Sequence, residues 1–137
     1  MINRRSFVSA LSAYGLSVAI LPFVSSSNSS AAGLASLDKD HDGTLDLAEV
    51  KDAAASVFDK LDKDSDATLD SKEIGGRAGK TQFKEADPDH DGTLTKDEYL
   101  GLAEKLFNAA DANKDGTLDP KELHSKAGRA LLRLIQP

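Results

Sequence analysis

The chain has 137 residues, no cysteine and a formal net charge of −6. This length allows one domain with an ordinary core rather than two, and the lack of cysteine excludes disulfides, thiolate nucleophiles and thiolate metal sites. Residues 33–137 hold 15 basic and 23 acidic residues, a balance that argues against nucleic acid and anionic membranes as partners.

Residues 1–32 have the features of an export signal rather than of a fold element. They have two arginines near the start, continue with an apolar run over residues 7–24 and end in small residues, without any acidic residue. Serine, glycine and Pro22 dilute or interrupt the apolar run, which favours a cleaved peptide over a membrane anchor. We expect cleavage near Ala32 and a mature chain, residues 33–137, that is periplasmic or secreted from a bacterial cell.

The export route has two interpretations. Arg4 and Arg5 stand directly before Ser6, Phe7 and Val8, and this order resembles the twin-arginine export motif. Alternatively, the two arginines only supply the positive start of an ordinary secretion signal. Either route takes the mature protein out of the cytoplasm.

Four segments of twelve residues repeat one pattern through the rest of the chain, and their starts are 24 or 25 residues apart. We call them loops one to four: DKDHDGTLDLAE (38–49), DKDSDATLDSKE (62–73), DPDHDGTLTKDE (87–98) and DANKDGTLDPKE (111–122). They contain 19 of the 23 acidic residues. A solvated acidic surface does not explain four copies of one pattern in the same register. We therefore interpret the acidic residues of the loops as serving to bind metal ions.

The spacing of oxygen-bearing residues in each loop is that of a calcium-type site. Positions 1, 3 and 5 offer side-chain oxygens, position 7 a backbone carbonyl, position 9 a ligand that often acts through water, and position 12 a bidentate glutamate. Glycine at position 6 permits the sharp turn, but loop two has Ala67 there. The predicted metal ligands are Asp38, Asp40, Asp42, Thr44, Asp46, Glu49, Asp62, Asp64, Asp66, Thr68, Asp70, Glu73, Asp87, Asp89, Asp91, Thr93, Thr95, Glu98, Asp111, Asn113, Asp115, Thr117, Asp119 and Glu122.

The second half of each loop also predicts the start of a helix. Position 9 is suited to be the N-cap and position 12 its glutamate partner in a capping box, as in Asp46 with Glu49. Pro120 stands in a first helical turn, where proline is tolerated. Position 8 is leucine in all four loops, and we expect it to point inward where two loops pair through a short strand contact.

The connections between loops are short. Residues 50–61 and 99–110 each allow about three turns of a single helix, so the helix that leaves one loop must enter the next. Residues 74–86 contain three glycines, which predict a break or hinge. Apolar residues recur at helical spacing and are interpreted as core: Leu47, Val50, Ala54, Val57, Phe58, Leu61, Tyr99, Leu102, Leu106, Phe107, Leu123, Ala127, Leu131 and Leu134.

The four loops resemble EF-hand loops, and the chain as a whole resembles the lanmodulins, small bacterial periplasmic proteins that bind lanthanide ions. The likeness covers about residues 34–136. Within it, DGTLTKDEYL (91–100) looks like that family's third site, and the closing KELHSKAGRALLRLI looks like its C-terminal helix. It implies an all-α, compact helical bundle of four fused EF-hands, in which loop one meets loop four and loop two meets loop three. The proline habitual at loop position 2 in this family occurs here only as Pro88.

Three functions remain open from the sequence: a lanthanide-selective binder, a periplasmic calcium buffer, and a calcium-switched module that exposes an apolar groove. The switched module would need an adaptable, Met-rich surface, and the only methionine is Met1. Up to four sites would hold Ca²⁺ or trivalent lanthanide ions, and carboxylate-rich loops favour the ion of higher charge. We expect binding to fold a largely unfolded metal-free chain.

No pattern indicates an enzyme. His41, His90 and His124 lack the mutual spacing of a histidine metal site, and neither a nucleophile motif nor a phosphate-binding loop is present. We therefore expect a monomer whose partners are metal ions, without contact to nucleic acid or, after signal cleavage, to membrane. The sequence does not identify a protein partner.

Overall fold

The computed structural model describes residues 34–137, so the expected export signal and its cleavage position lie outside the described residues. The elements follow the order α1 (34–37), β1 (Leu45–Asp46), α2 (Leu47–Leu61), β2 (Thr68–Asp70), α3 (Ser71–Ile74), α4 (Lys80–Ala86), β3 (Thr93–Thr95), α5 (Lys96–Ala110), β4 (Thr117–Leu118), α6 (Pro120–Leu123) and α7 (Lys126–Ile135). Within residues 34–137, no helix combines the length and apolar character needed to cross a membrane.

The end of every loop starts a helix, as the sequence predicts. Each position-9 side chain accepts a hydrogen bond from the backbone N–H of the position-12 glutamate, and that glutamate accepts one in return from the backbone N–H of position 9. Pro120 occupies the first turn of α6. These capping boxes hold the last residue of each loop in a fixed orientation to the helix that follows.

Two short antiparallel strand pairs join the loops. β1 pairs with β4, which brings loop one to loop four, and β2 pairs with β3, which brings loop two to loop three. Leu45 lies opposite Leu118 and Leu69 opposite Leu94, and all four side chains are completely buried. The predicted pairing and the inward direction of the position-8 leucines are therefore both present.

The core lies around the two helices of 15 residues, α2 and α5, which connect one loop pair to the other and pack together. α7 packs against both helices. The rings of Phe58 and Tyr99 meet edge to face with centroids 5.8 Å apart, and the Tyr99 hydroxyl donates to the Leu134 carbonyl at 2.7 Å. Burial raises the pKa of Tyr99 to about 12, an effect that the charge of Arg77 opposes. The tyrosine thus fixes α7 on the core in its neutral, hydrogen-bonded form.

The expected break between loops two and three is present. α3 ends at Ile74, and Gly75 follows with a left-handed φ of +57°, a conformation that often terminates helices. α4 begins only at Lys80 and contains no fully buried residue. The helices on this side of loops two and three are therefore short and weakly anchored.

The closing segment differs from the single C-terminal helix that the resemblance implies. It forms two helices, because Ser125 begins α7 as an N-cap and its Oγ accepts from the Gly128 N–H at 3.0 Å. The turn brings α7 close to α6, where a Cβ on Gly128 would lie 2.2 Å from the carbonyl oxygen of Glu122. The apolar spacing continues across the break, so it gives no sign of this turn.

Candidate metal centres

Each loop turns at two left-handed residues. Position 6 has φ +86° in the three loops with glycine, and Ala67 has φ +66° in loop two. Position 4 is also left-handed, with φ between +58° and +61° at His41, Ser65, His90 and Lys114. The sequence predicts the first of these positions but not the second, because position 4 carries no glycine that would reveal it.

The position-1 carboxylate organises the first half of each loop. Its Oδ2 accepts the backbone N–H of position 6 at 2.9 Å in loop one and at 3.1 Å in the other three. The position-5 side chain in turn accepts from both the N–H and the hydroxyl of the position-7 threonine, at 2.7–2.9 Å. Backbone donors thus fix two of the predicted ligands in every loop.

Three groups of carboxylates converge closely enough to share an ion. In each group one oxygen of every side chain lies within 4.8 Å of the others, and the groups are Asp38 with Asp40 and Glu49, Asp62 with Asp64 and Asp66, and Asp87 with Asp89 and Asp91. They belong to loops one, two and three. In the described chain, loop four forms no such acidic group, because position 3 is Asn113, whose side chain is hydrogen-bonded to Asp115 at 2.9 and 3.0 Å.

The position-12 glutamate is held from two sides in three of the loops. In loops one, two and four, one oxygen accepts from the backbone N–H of position 9 at 3.1–3.3 Å. The other oxygen accepts from the N–H of position 2 at 2.6–3.1 Å. Loop three has Pro88 at position 2, which has no N–H to donate. Glu98 keeps the bond from the position-9 N–H, that of Thr95, at 2.8 Å, and it accepts a second one from the Thr95 hydroxyl at 3.0 Å.

The position-9 side chains serve the helices. Asp46, Asp70, Thr95 and Asp119 cap the helices that follow, and none of them is part of the three converging groups. The structure thus brings together the predicted ligands of positions 1 and 3, with position 5 or 12, in loops one to three. The remaining predicted aspartate and glutamate ligands, including those of loop four, do not join these groups within the described residues.

Ion pairing separates the loop acids from the other acids. Asp52, Asp59, Glu85 and Glu104 are the four acidic residues outside the loops, and each forms an ion pair with a lysine at 2.5–2.8 Å. Within the described residues, none of the 19 loop carboxylates takes part in an ion pair. In this part of the chain, no ion pair therefore offsets the negative charge of the loop carboxylates.

Two buried carboxylate oxygens have no hydrogen-bond donor. Oδ1 of Asp87 and Oδ1 of Asp111 are inaccessible and unpartnered, whereas the same oxygen in loops one and two accepts from the position-5 N–H at 3.2 Å. A buried polar atom without a partner is costly, more so when it is charged. Hard oxygen ligands of this kind fit a cation such as calcium.

The pKa values of neighbouring aspartates move apart. At position 1, burial raises the pKa of Asp38 and of Asp87, but hydrogen bonds from the N–H of position 6 and its neighbours outweigh it and leave both below their usual range. At position 3 the pKa of Asp89 is raised, chiefly by the neighbouring carboxyl of Asp87. The pKa is therefore lowered at position 1 and raised at position 3 of the same loop.

Loops one and two show the same rise at position 3. The Asp42 N–H lowers the pKa of Asp40, but burial and the Asp38 carboxyl outweigh it. Burial raises the pKa of Asp64, and the charges of its neighbouring carboxylates add to the rise. The pKa of the position-3 aspartate is thus raised in each of loops one to three.

Comparison with known families identifies two matches in the C-terminal part of the chain. An EF hand family matches residues 102–125, which include loop four, and an EF-hand domain pair matches residues 81–106, which include loop three. No curated protein matches the chain. The matches and the acidic groups of the loops together support an EF-hand protein with calcium-type metal binding.

Proposed function

We propose that this chain is an exported, lanmodulin-like protein in which four fused EF-hands bind hard cations with a preference for trivalent lanthanide ions. The observation that carries the proposal is the segregation of charge: 19 of 23 acidic residues lie in the loops, and none of these 19 forms an ion pair within the described residues. The 24 oxygen-bearing residues predicted from the sequence would supply the ligands. The buried Oδ1 atoms of Asp87 and Asp111, which have no hydrogen-bond donor, also support the binding of a cation.

The preference for a trivalent ion follows from the charge of the loops. Loops one and three each have five carboxylates and one lysine, a formal charge of −4, whereas loop four has four carboxylates and two lysines, a charge of −2. Coulomb attraction grows in proportion to the charge of the ion, so a trivalent ion gains more than a divalent one in the more acidic loops. Loop four is therefore the weakest proposed site for lanthanides.

The second candidate function is a periplasmic calcium buffer. The observation that favours it is loop four, where the neutral Asn113 replaces a carboxylate and Lys114 and Lys121 reduce the charge further. The buffer and the lanthanide binder share the same sites and differ only in ion preference. A calcium-switched module is a weaker candidate, since the only methionine of the chain is Met1.

Metal binding would also fold the protein. Without a cation, carboxylates that must converge within 4.8 Å repel one another, and the core offers only Phe58, Phe83, Tyr99 and Phe107 as aromatic side chains in the described range. We propose that the metal-free mature chain is largely unfolded. We further propose export through a cleaved signal at residues 1–32, a monomeric state and the absence of enzymatic activity.

The test is a titration of the metal-free mature chain, residues 33–137, with lanthanum and with calcium, followed by circular dichroism. We expect helix content to rise with either ion, and a lanthanum midpoint several orders of magnitude below that of calcium. Equal midpoints would instead favour the calcium buffer. A chain that is fully helical in a chelator would refute folding on binding.

A matched pair of variants tests whether the loops are the sites. Glu49→Gln removes a position-12 carboxylate from the loop one group, whereas Glu104→Gln makes the same substitution in the ion pair with Lys51, and neither residue of that pair lies in a loop. We expect the first variant to lose affinity at loop one and the second to bind as the unmodified protein does. Equal losses in both would show that net charge, rather than the loop, controls binding.

A further inference from the structure

A second region of the protein has the opposite charge. Residues 74–84 and 123–137 contain no aspartate or glutamate, and they hold six cationic residues: Arg77, Lys80, Lys84, Lys126, Arg129 and Arg133. One of them is engaged in the fold, because the Arg77 guanidinium donates to the carbonyls of Arg133 and Gln136 at the end of α7. The others lie exposed on α4 and α7.

A cavity of about 690 Å³ lies where these two segments meet, between the start of α4, the end of α5 and α7. Three cations line it, Lys80, Lys126 and Arg133, and its apolar part includes Leu106 and Ala130. We call it the basic cavity. Its volume is within the range of about 300–1,000 Å³ that is typical of sites for small organic ligands.

The cations of the basic cavity have no anionic partner in the described protein. None of Lys80, Lys126 and Arg133 belongs to the ion pairs of residues 34–137, and the four acidic residues outside the loops are each already paired with another lysine. The charge of these three residues is thus available to a ligand. Moreover, the cavity combines cations with an apolar wall. A small inorganic anion would not contact the apolar wall, and a flat membrane surface would not enter the cavity.

We propose that the basic cavity binds an organic polycarboxylate, a small molecule with at least two carboxylate groups on a carbon skeleton. The carboxylates would pair with Lys80, Lys126 and Arg133, and the skeleton would lie against Leu106 and Ala130. Polycarboxylates also form complexes with hard cations in water, because such ions prefer oxygen ligands. The link to metal uptake rests on the proposed function, whereas the binding itself does not.

The test uses the calcium-saturated mature chain and tricarballylate, a tricarboxylate without the hydroxyl that makes citrate a strong chelator. Calorimetry at low salt measures affinity, and amide NMR locates the site. We expect saturable binding with shifts at the amides of Gly79, Ser125 and Ala127, which line the cavity. Lys126→Gln and Arg133→Gln should each weaken binding about tenfold, the scale of one charged hydrogen bond.

The matched control is Lys60→Gln, which removes the same charge from an exposed lysine of α2 outside the basic cavity and outside the ion pairs of the described chain. It should leave the affinity for tricarballylate unchanged, and circular dichroism should show the same fold for all variants. An equal loss in Lys60→Gln would overturn the proposal, because general attraction would then explain binding. So would shifts confined to the loop amides, since they would indicate withdrawal of calcium.

Two other probes define the ligand class. Inorganic phosphate that binds as tightly as tricarballylate would overturn the polycarboxylate assignment, and so would a hexaglutamate peptide that binds more tightly, because the cavity would then be a docking groove for acidic protein segments. Failure of the proposed function is distinguishable: equal lanthanum and calcium midpoints would leave the binding of tricarballylate intact. Conversely, Lys126→Gln should leave both metal midpoints unchanged.

Discussion

The pair formed by loops one and four and the pair formed by loops two and three share one sequence pattern but differ in their surroundings. Glu49 and Glu122, at position 12 of the first pair, are both 8% exposed, whereas Glu73 and Glu98 of the second pair are only half buried. The strand pairing is nevertheless longer in the second pair. β1 and β4 pair over two residues, whereas β2 and β3 pair over three. Strand pairing therefore does not determine how well a loop is covered.

The helices that follow each loop explain why the position-12 glutamates of the two pairs differ in burial. On the side of the first pair, α6 turns directly into α7, which packs on α2 and α5 and covers the core. On the side of the second pair, α3 has four residues, α4 has seven and none that is fully buried, and glycines lie between them. We infer that loops one and four are the more rigid pair and that loops two and three open more readily.

The largest expected effect comes from Gly128, which allows the close contact between α6 and α7. In Gly128→Ala the added Cβ would lie 2.2 Å from the Glu122 carbonyl, so α6 and the loop four glutamate would have to move. We expect the calcium-loaded protein to lose about 1–3 kcal/mol of unfolding free energy, the usual cost of an overpacked contact. Urea unfolding measures the loss, and loop four should lose metal affinity with it.

The control for this substitution is Gly101→Ala in α5. A Cβ at that residue would meet nothing within 4 Å, and helix propensity favours alanine over glycine by about 0.5–1 kcal/mol. This variant should therefore be as stable as the unmodified protein or more so. If Gly128→Ala also retained full stability, the rigidity of the first loop pair would not depend on the contact between α6 and α7.

The second prediction makes loop four resemble loop one. Asn113→Asp introduces a carboxylate at position 3 and makes the formal charge of loop four more negative, from −2 to −3. We expect lanthanum to bind loop four about tenfold more tightly, roughly 1.4 kcal/mol, with a smaller gain for calcium because its charge is lower. Site-resolved NMR titration decides it, and unchanged binding would mean that ligand charge does not limit this site.

The third prediction makes loop two resemble loop three at position 6. Ala67 has φ +66°, within the small left-handed region open to alanine, whereas the glycines adopt +86°. A left-handed residue with a Cβ costs about 1–2 kcal/mol, and alanine recovers a part by restricting the unbound loop. We expect Ala67→Gly to tighten metal binding at loop two by less than about tenfold.

The same titration at residue resolution tests this effect, with loop three as the internal reference. Ser65→Gly, at position 4 of the same loop with φ +60°, gives a matched comparison. It should also tighten binding, because position 4 is left-handed too. Weaker binding in both glycine variants would show that restriction of the unbound loop outweighs the strain in the folded one.

Much of this architecture could be predicted from the sequence because each feature depends on neighbouring residues. The capping box of Asp46 and Glu49 is complete within four positions, and the inward leucines follow from the repeat. The glycines after Ile74 predicted the break before α4. The positions of all four loops followed in the same way from their own spacing.

The features that escaped prediction depend on contacts distant in sequence or on backbone atoms. The turn between α6 and α7 depends on the N-cap Ser125 and on the close approach of Gly128 to α6. Neither residue alters the helical spacing of the apolar residues. The hydrogen bond from the position-2 N–H to the position-12 glutamate does not depend on the side chain, so only Pro88 could have indicated it. The basic cavity could not be predicted, because residues 74–84 and 123–137 meet only in the folded chain.

The smallest expected effect is a difference in how the loops respond to acid. Protons and metal ions compete for the same carboxylates, so metal affinity falls as pH decreases through the pKa of a ligand. The pKa values of Asp40, Asp64 and Asp89, at position 3 of loops one to three, are raised above 3.8. Loop four has Asn113 there, which does not titrate, and hydrogen bonds from the N–H and the hydroxyl of Thr117 lower the pKa of Asp115.

Loops one to three should therefore begin to lose calcium at a higher pH than loop four does, although we propose that loop four is the weaker site at neutral pH. An NMR titration of the calcium-loaded protein between about pH 6 and pH 3.5, with each affinity compared to its own neutral value, measures the order of release. Asn113→Asp is the matched variant, because it adds a titrating residue at position 3 and should move the release from loop four to higher pH. If all four loops of the unmodified protein released calcium together, the strand pairs rather than the individual carboxylates would control the response to acid.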